Sequence, residues 1–583
     1  MISALSHFNS VWIVIAKVHT RFGERHQPLV LLARDVGSNM VVELGVPKLL
    51  GVRHPPYPTG PQALLVTVDA NEVAACHLAL GWRMPERIVD LMVEFRNLTR
   101  GNRRPIVGGL AGALIWFGQR ATGALVEGAS PQQMRRRLAA VAALFDAMQA
   151  SLDVGRAMLR GRYLCAVARI EATGIPVDRR TSDHLAQNWP AVRDRVVEII
   201  DQGYGVYQGR RLDVPAFEGW LAGRGISWPV VASGRLDLSD QAFREMARVH
   251  PCVRPLKELR ATLLGFDPNA LAIGRDGRNR TPVLPFVGST GRNQPSAKHW
   301  VMETAAWVRH LIKPKSGAGL ALIDWEQQEF GIAAALSGDT GMQRAYTSGD
   351  PYLALAIASG AAPPEATAAT HPQIRERYKV ASLGIQYGIG AVRLAGLLGL
   401  REVDAKEMLR LHKAAFPRFW SWSDDVEARA MLYREQHSAF GWRRAIGPDA
   451  KSGSLRNFPM QANGAEMLRL ACCLVTEAGI TLCAPNHDAL LIEAPLRDLD
   501  DAVATTQRLM AEASADALDG FGLTTSVRAV RAPERWTDPR GTTVWSAVET
   551  ALARIEPPAH QRDRTCSPAD ARTILLSVYK RGS

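Results

Sequence analysis

The 583-residue sequence predicts a multidomain protein of mixed α/β and α+β class. Three observations carry that reading. The first 145 or so residues open on apolar strand-like runs and continue in helical periodicity. The middle is mostly helical, with loops containing Gly and Trp. The second half sets a strand ending on an acid, a basic helix, and a strand pair with an acid in its turn, in that order. The length is enough for several domains with cores of their own.

Val11-Trp-Ile-Val-Ile15, Leu29-Val-Leu-Leu-Ala33 and Ala63–Val68 read as strands, and helical patterns follow through Asn71–Leu80 and Gln132–Leu152. Strands followed by helices suggest an α/β domain. Arg135-Arg-Arg137 reads as a solvated helix face, with DNA contact as the alternative. From Gly161 to Glu171 the pattern is helical, Gly174-Ile-Pro-Val-Asp178 stops it, and helix predominates to about Leu264. The loop Asp267–Gly291, rich in Gly, Pro, Asn and Arg, is expected to be a flexible boundary. Gly319-Leu-Ala-Leu-Ile-Asp324 reads as a short buried strand, followed by the helical run Gly331–Asp339. A loop at Gly360–Thr370 is placed to hinge the basic helix. Ile480–Ala484 and Ala489–Glu493 read as a hairpin joined through Pro485-Asn-His487-Asp488. No internal repeat or low-complexity tract is present, and the tail after Arg554 is expected to be a poorly ordered end.

With 70 Lys+Arg against 57 Asp+Glu, the net charge of +13 and pI near 9.6 favour a polyanionic partner. No run approaches the roughly 18 apolar residues of a spanning helix, and Ser10–Ala16 is too short for a secretory signal. The seven cysteines form no Cys-x-x-Cys pair, so free thiols, a cytoplasmic protein and no structural zinc are expected.

At about 100° per residue, Arg375, Lys379, Ser382, Leu383 and Gln386 fall on one helical face, with Tyr387 at its edge and Gly388 able to break the helix. Arg and Lys one turn apart suit a polyphosphate, since Arg grips two oxygens and Lys places a compact charge. An aromatic followed by Gly offers a surface on which a base can stack. In isolation such a helix is a solvated basic face, and each flanking acid is a cap or turn residue. The order acid, basic helix, acid gives them joint meaning.

That order resembles motifs A, B and C of the DNA polymerase I family, the family A polymerases, from about Thr290 to Trp545. Thr290-Gly-Arg292-Asn-Gln-Pro-Ser looks like the family's thumb-to-palm segment, Phe440-Gly-Trp-Arg443-Arg its post-fingers segment, and Asn457-Phe-Pro-Met-Gln461 its primer-side segment. Three positions depart from the pattern. Leu383 stands where an aromatic usually sits, Ala489 where many members have a second acid, and Gly453 where many have Arg. The resemblance implies a right-hand fold: a thumb and connection over 151–300, palm over 301–345 and 413–550 around fingers at 346–412, and a tail at 551–583. By position, and by Asn71-Glu72 followed by Trp82–Asp90, residues 1–150 look like a ribonuclease H-like 3′→5′ exonuclease domain. They are too few, and of the wrong pattern, for a 5′-nuclease domain.

The implied activity is template-directed addition of deoxynucleotides to a primer 3′ end, in replication or repair. Two Mg²⁺ ions, for which Mn²⁺ can substitute, would be held by Asp324 and Asp488, which lie 164 residues apart but can converge from a strand end and a hairpin tip. Arg375 and Lys379 would meet the triphosphate, with Lys379 donating a proton to pyrophosphate. Gln327, Glu329, Leu383 and Tyr387 would line the nucleotide pocket, Glu329 excluding a ribose 2′-hydroxyl. Arg292, Asn457, Gln461 and His487 would touch primer-template DNA, and Arg260 lies either along duplex phosphates or in a surface salt bridge. The ordinary readings are polar caps, a structural Gln and a turn His. Primer-template DNA and dNTPs are the expected partners of a DNA-associated monomer with no membrane contact. A single-subunit RNA polymerase, a catalytically inactive nucleic-acid-binding scaffold and a nuclease are the alternatives. The N-terminal domain is expected not to proofread. Its first strand carries Lys17 and no acid, Met134–Leu144 has no acid, and Glu72 and Asp90 stand nearly alone.

Overall fold

The computed structural model describes residues 5–99, 109–121 and 128–555. The tail from 556 onward, with Cys566, lies outside the described residues. The chain opens on a five-stranded sheet of β1 (Ser10–His19), β2 (Gln27–Asp35), β3 (Val41–Gly45), β4 (Ala63–Thr67) and β5 (Ile88–Asp90), in the order β3-β2-β1-β4-β5. β1 pairs antiparallel with β2 and parallel with β4. As the central strand it is apolar on both faces. Trp12, Val14, Ala16 and Val18 enter one core, and Ile13 and Ile15 enter another on the opposite side, the period of two inherent to a strand. β3 and β5, at five and three residues, are too short to carry a readable sequence period.

Helix α1 (Ala70–Leu80) is capped by Asp69, which accepts the Glu72 N–H, and α2 (Leu91–Leu98) by Asp90. α3 (Pro131–Met148) starts on a capping box formed by Ser130 and Gln133. α4 (Val154–Thr173) ends at Gly174, whose φ of 67° lies in the left-handed region. A Cβ on Gly161 would stand 1.9 Å from the Ile88 carbonyl oxygen, so glycine lets α4 press directly on β5.

The helical middle includes α5 (Arg179–Asp201), α6 (Asp240–Val249) and α7 (Arg254–Gly265). The expectation of a flexible boundary at Asp267–Gly291 is corrected. Asn279 and Phe286 are fully buried, Arg278 donates to the Gly174 carbonyl at 2.9 Å and pairs with Glu493, and Arg280 pairs with Asp276 at 2.6 Å. Gly and Pro content signalled irregular backbone correctly, while buried arginine pairs anchor it.

The second sheet is antiparallel throughout: β6 (Ala318–Trp325), β9 (Thr481–Asn486), β10 (Ala489–Pro495) and β11 (Thr525–Arg531), in the order β9-β10-β6-β11. Between β6 and β9 the chain forms α8 (Gln328–Ser337), α9 (Pro351–Ala358), α10 (Pro372–Gln386), α11 (Pro417–Tyr433), the hairpin β7 (Glu435–His437) and β8 (Arg443–Ala445), and α12 (Ser452–Glu477). One core runs without a break from Trp12 of β1 through Ala166 of α4 to Met467 of α12 and Leu490 of β10. Among the described residues no helix is long and apolar enough to cross a membrane. The six described cysteines are free thiols.

Candidate active site

β6 and β10 pair so that Asp324 lies opposite Ala489, and the Trp325 N–H donates to the Asp488 carbonyl at 3.3 Å. This register sets the Asp324 and Asp488 side chains within hydrogen-bonding reach of each other. Burial, the neighbouring Asp488 and the charge of Glu326 push the Asp324 carboxyl up to about 7. Burial also raises Asp488, opposed by a backbone hydrogen bond and by the nearby His487 and Arg292. Asp324 Oδ1 is buried with no hydrogen-bond partner. Two facing carboxylates and an orphaned oxygen form a donor set suited to a hard cation. No group of three His, Cys, Asp or Glu able to hold a metal occurs among the described residues, so an ion here would draw its remaining ligands from water or a substrate phosphate.

α10 carries the cations. Pro at its first turn sets its start, and Gly388 (φ 75°) follows its C-cap Tyr387. The single five-residue face read from the sequence is split. Ser382 and Gln386 are 0% and 2% exposed, while Arg375, Lys379 and Leu383 are half-buried. Neighbouring helices cover the side of α10 that holds Ala381 and Ile385, and Ser382 and Gln386 border that stripe. Leu383 packs against the main core. The Arg375 Nε donates to Asp350, which also caps α9 by accepting the Leu353 N–H at 3.1 Å. The guanidinium lies 5.9 Å from the Tyr352 ring centre. Lys379 has no ion pair or hydrogen-bonded partner for its ammonium among the described residues. Asp350 and Tyr352 were missed in the sequence. Asp350-Pro351 is a legible helix start, but its pairing across 25 residues has no local signal.

The turn from β6 into α8 passes through Gln327 in a left-handed conformation (φ 43°) and places Glu329 in the first turn of α8. Glu329 reaches Arg292 at 3.7 Å. Glu329 and Gln461 lie near the Tyr387 phenol, whose pKa is raised first by burial and then by the Glu329 charge. The Arg292 Nε donates to the Gln461 carbonyl at 3.3 Å. Arg292, Glu329, Tyr387 and Gln461 therefore form one cluster at the end of α10. Asn457, one turn before Gln461 on α12, keeps a buried side-chain oxygen without a partner. His487 at the hairpin tip is in a left-handed conformation (φ 57°), largely exposed, and 3.4 Å from Glu303. Arg260, away from this site, pairs with Asp240 at 3.5 Å and lies over Phe243.

In the first sheet, Glu72 accepts the Val18 N–H at 3.0 Å and meets the Lys17 ammonium at 3.2 Å. Asp90 accepts three backbone N–H groups, from Ala70, Met92 and Val93. Asp69, not singled out in the sequence, is pushed up to about 7 by burial and by Glu72 and Asp90.

An antiparallel sheet bearing paired carboxylates, with a basic helix that ends near Glu329 just past β6, belongs to a right-hand polymerase fold. Residues 274–529 match the model of DNA polymerase family A. It is similar to a thermostable DNA polymerase I of Thermus thermophilus, at 25% identity over 60% of this chain and 44% of the relative. The thermostable enzyme of Thermus aquaticus is 26% identical over 59% of this chain and 44% of the relative. The chain thus spans less than half the length of these curated relatives. A solved structure, described as the POL domain of Pol1 from M. smegmatis in complex with DNA primer-template and dNTP, matches in fold with a TM-score of 0.67 and 18% identity. The match covers 91% of this chain and 97% of that one.

Proposed function

We propose that the protein is a template-directed DNA polymerase that extends a primer 3′ end with deoxynucleotides, taking primer-template DNA and dNTPs as substrates. The observation that carries this reading is the meeting of Asp324 and Asp488 across the β6–β10 pair, beside the family A match. Bound Mg²⁺ or Mn²⁺ would lower the pKa of the primer hydroxyl and neutralise charge developing on the transferring phosphoryl group. Asp324 and Asp488 would hold it, ionised. Lys379, without an ion pair among the described residues, would bind the outer phosphates and give its proton to the departing pyrophosphate. Arg375 would exchange Asp350 for a phosphate oxygen or use its free Nη groups. Tyr387 would stack beneath the nascent pair, and Glu329, paired with Arg292 at 3.7 Å, would occupy the space beside C2′. Gln327 and Leu383 would complete that pocket. Arg292, Asn457, Gln461 and His487 would contact the primer-template. This assignment treats 151–300 as thumb and connection, 301–345 and 413–550 as palm, and 346–412 as fingers.

Residues 1–150 are proposed to be a degenerate exonuclease-like domain without proofreading. The support is that Lys17 occupies the Glu72 carboxylate, while Asp69 and Asp90 are engaged as helix caps. The test is extension of a labelled primer on DNA and RNA templates, with dNTPs or rNTPs, in Mg²⁺ and Mn²⁺. Extension with dNTPs on DNA is expected. Preference for rNTPs would establish the RNA polymerase reading, and DNA binding without extension would establish an inactive scaffold.

A further inference from the structure

A groove of about 780 Å³ lies between α11, the β7–β8 hairpin and the outer side of α12, within the range of built ligand sites. Trp422, Tyr433 and Phe458 line it together with Arg429 and Arg443. Tyr433 is 67% exposed and adjoins Leu432 at 73%, just before Arg434 ends α11 in a left-handed conformation (φ 56°). The guanidinium groups of Arg429 and Arg443 have no ion pair or hydrogen bond among the described residues. Two acids of α11, Asp424 and Glu427, are drawn to Arg456 at 2.6 Å, and the third, Asp425, makes no ion pair with Arg429. Glu435 and Asp519 also line the groove, setting two carboxylates against Arg156, Arg429 and Arg443. Arg156 is itself only loosely paired, 3.4 Å from an exposed Asp153.

An exposed ring at Tyr433, with Trp422 half-buried in the same groove and Arg429 and Arg443 free of ion pairs among the described residues, is what a flexible polyanion with flat bases requires. Bases stack on the rings in any sequence, and guanidinium groups track the phosphates. A duplex hides its base faces, and an acidic peptide has none to stack. We propose that this groove binds an unpaired nucleic-acid strand. It lies on a different face of α12 from Asn457 and Gln461: Phe458, Pro459 and Asn463 line the groove, at about 100° to 240° around the helix from Asn457. Only the identity of the strand rests on the polymerase reading, under which it is the unpaired template or a strand displaced ahead of the primer.

Binding of a labelled oligothymidine to the full chain, followed by fluorescence anisotropy across a salt series, tests the site without requiring catalysis. Tyr433→Ala is expected to weaken binding about tenfold and Tyr433→Phe to leave it unchanged. Arg429→Ala is expected to reduce the slope of log affinity against log salt by about 0.7. Both positions are exposed, and an unchanged melting temperature verifies folding. Parental binding by Tyr433→Ala and Arg429→Ala overturns the proposal. So does weakening by Tyr433→Ala that Tyr433→Phe shares, which would show that the ring face is not the contact. Extension on a template with a one-nucleotide overhang is expected to be unaffected by either variant. Loss of affinity confined to long-overhang templates assigns the groove to the template, and loss confined to flap substrates assigns it to a displaced strand. If the parental chain never extends primers yet binds oligothymidine through Tyr433, the polymerase reading fails and the groove stands.

Discussion

At Asp324, the proposed catalysis and folding stability make opposite demands. A carboxyl whose folded pKa lies near 7 against 3.8 in the unfolded chain holds a proton in the folded state that the unfolded state releases. Folding stability therefore falls as pH rises from about 4 to 7 and stays at the lower level above that range. Asp324→Asn is expected to cut primer extension on the order of 10²–10³-fold or more, the cost of removing one preorganised electrostatic group. The same variant should raise the melting temperature of the metal-free protein by about 1–3 °C at pH 8, and by less at pH 5. Extension rates and a thermal scan at both pH values check the two halves, and an equal gain at both pH values would contradict the raised carboxyl. Arg375 shows a milder competition. Asp350→Asn keeps a side chain that caps α9 but removes the anion on the guanidinium, so nucleotide KM should fall about 2–5-fold, as expected for a modest ion pair. In an Arg375→Ala background the same change should do nothing. The Glu329 carboxylate lies 3.7 Å from the Arg292 guanidinium and near the Tyr387 phenol. Glu329→Ala is expected to reduce discrimination against rNTPs on the order of 10–100-fold, while Glu329→Gln, of equal volume, keeps most of it; single-nucleotide incorporation with paired dNTP and rNTP decides.

Elements with a strong period of their own were legible. The sequence reading placed the strand ending at Asp324 and the hairpin carrying Asp488 within one or two residues of their bounds, since apolar runs between turn residues leave little choice. Hydrogen-bond register was not legible. It alone makes two acids 164 residues apart into neighbours. The division of α10 was also hidden, because periodicity gives relative angles and neighbouring helices decide which side is covered; Ser382 and Gln386 were thus grouped with Lys379. Gly453 could be read only as a missing side chain. A Cβ there would lie 3.1 Å from the Tyr387 carbonyl, so glycine lets the end of α10 rest on the start of α12. In β1, Lys17 was read as a cation where an exonuclease strand needs acids, but its partner Glu72 was not foreseen. That pair leads to an expected outcome: a 3′-mismatched primer incubated with the protein in Mg²⁺ or Mn²⁺ is not shortened. Shortening that persists in Asp324→Asn and is lost in Glu72→Ala would show a working nuclease site.

On the scale of the whole molecule, the N-terminal sheet is built into the rest of the fold. Arg160 of α4 grips Glu94 of α2 through two hydrogen bonds of 2.6 Å, both side chains nearly inaccessible, and reaches the Phe440 carbonyl at 3.3 Å. Asn97 donates to the Gly441 carbonyl at 3.1 Å and accepts the Arg443 N–H at 2.7 Å. These bonds tie α2 to the connection before β8, while the shared core beneath them runs from β1 to β10. A domain retained only as a tether would be removable, whereas this one shares a continuous core with α4, α12 and β10. Glu94→Ala leaves a buried guanidinium unpaired and is expected to cost about 3–5 kcal/mol. Replacing Glu94 and Arg160 together by apolar residues of similar volume should recover most of that loss. The intact chain should melt with the two regions coupled, and a chain beginning at Val154 should aggregate or melt well below the parent. Calorimetry separates the possibilities. If the truncated chain melts where the parent does, or if Glu94→Ala shifts only a minor early transition, the N-terminal sheet is an appendage and its burial against α4 contributes nothing to the polymerase fold.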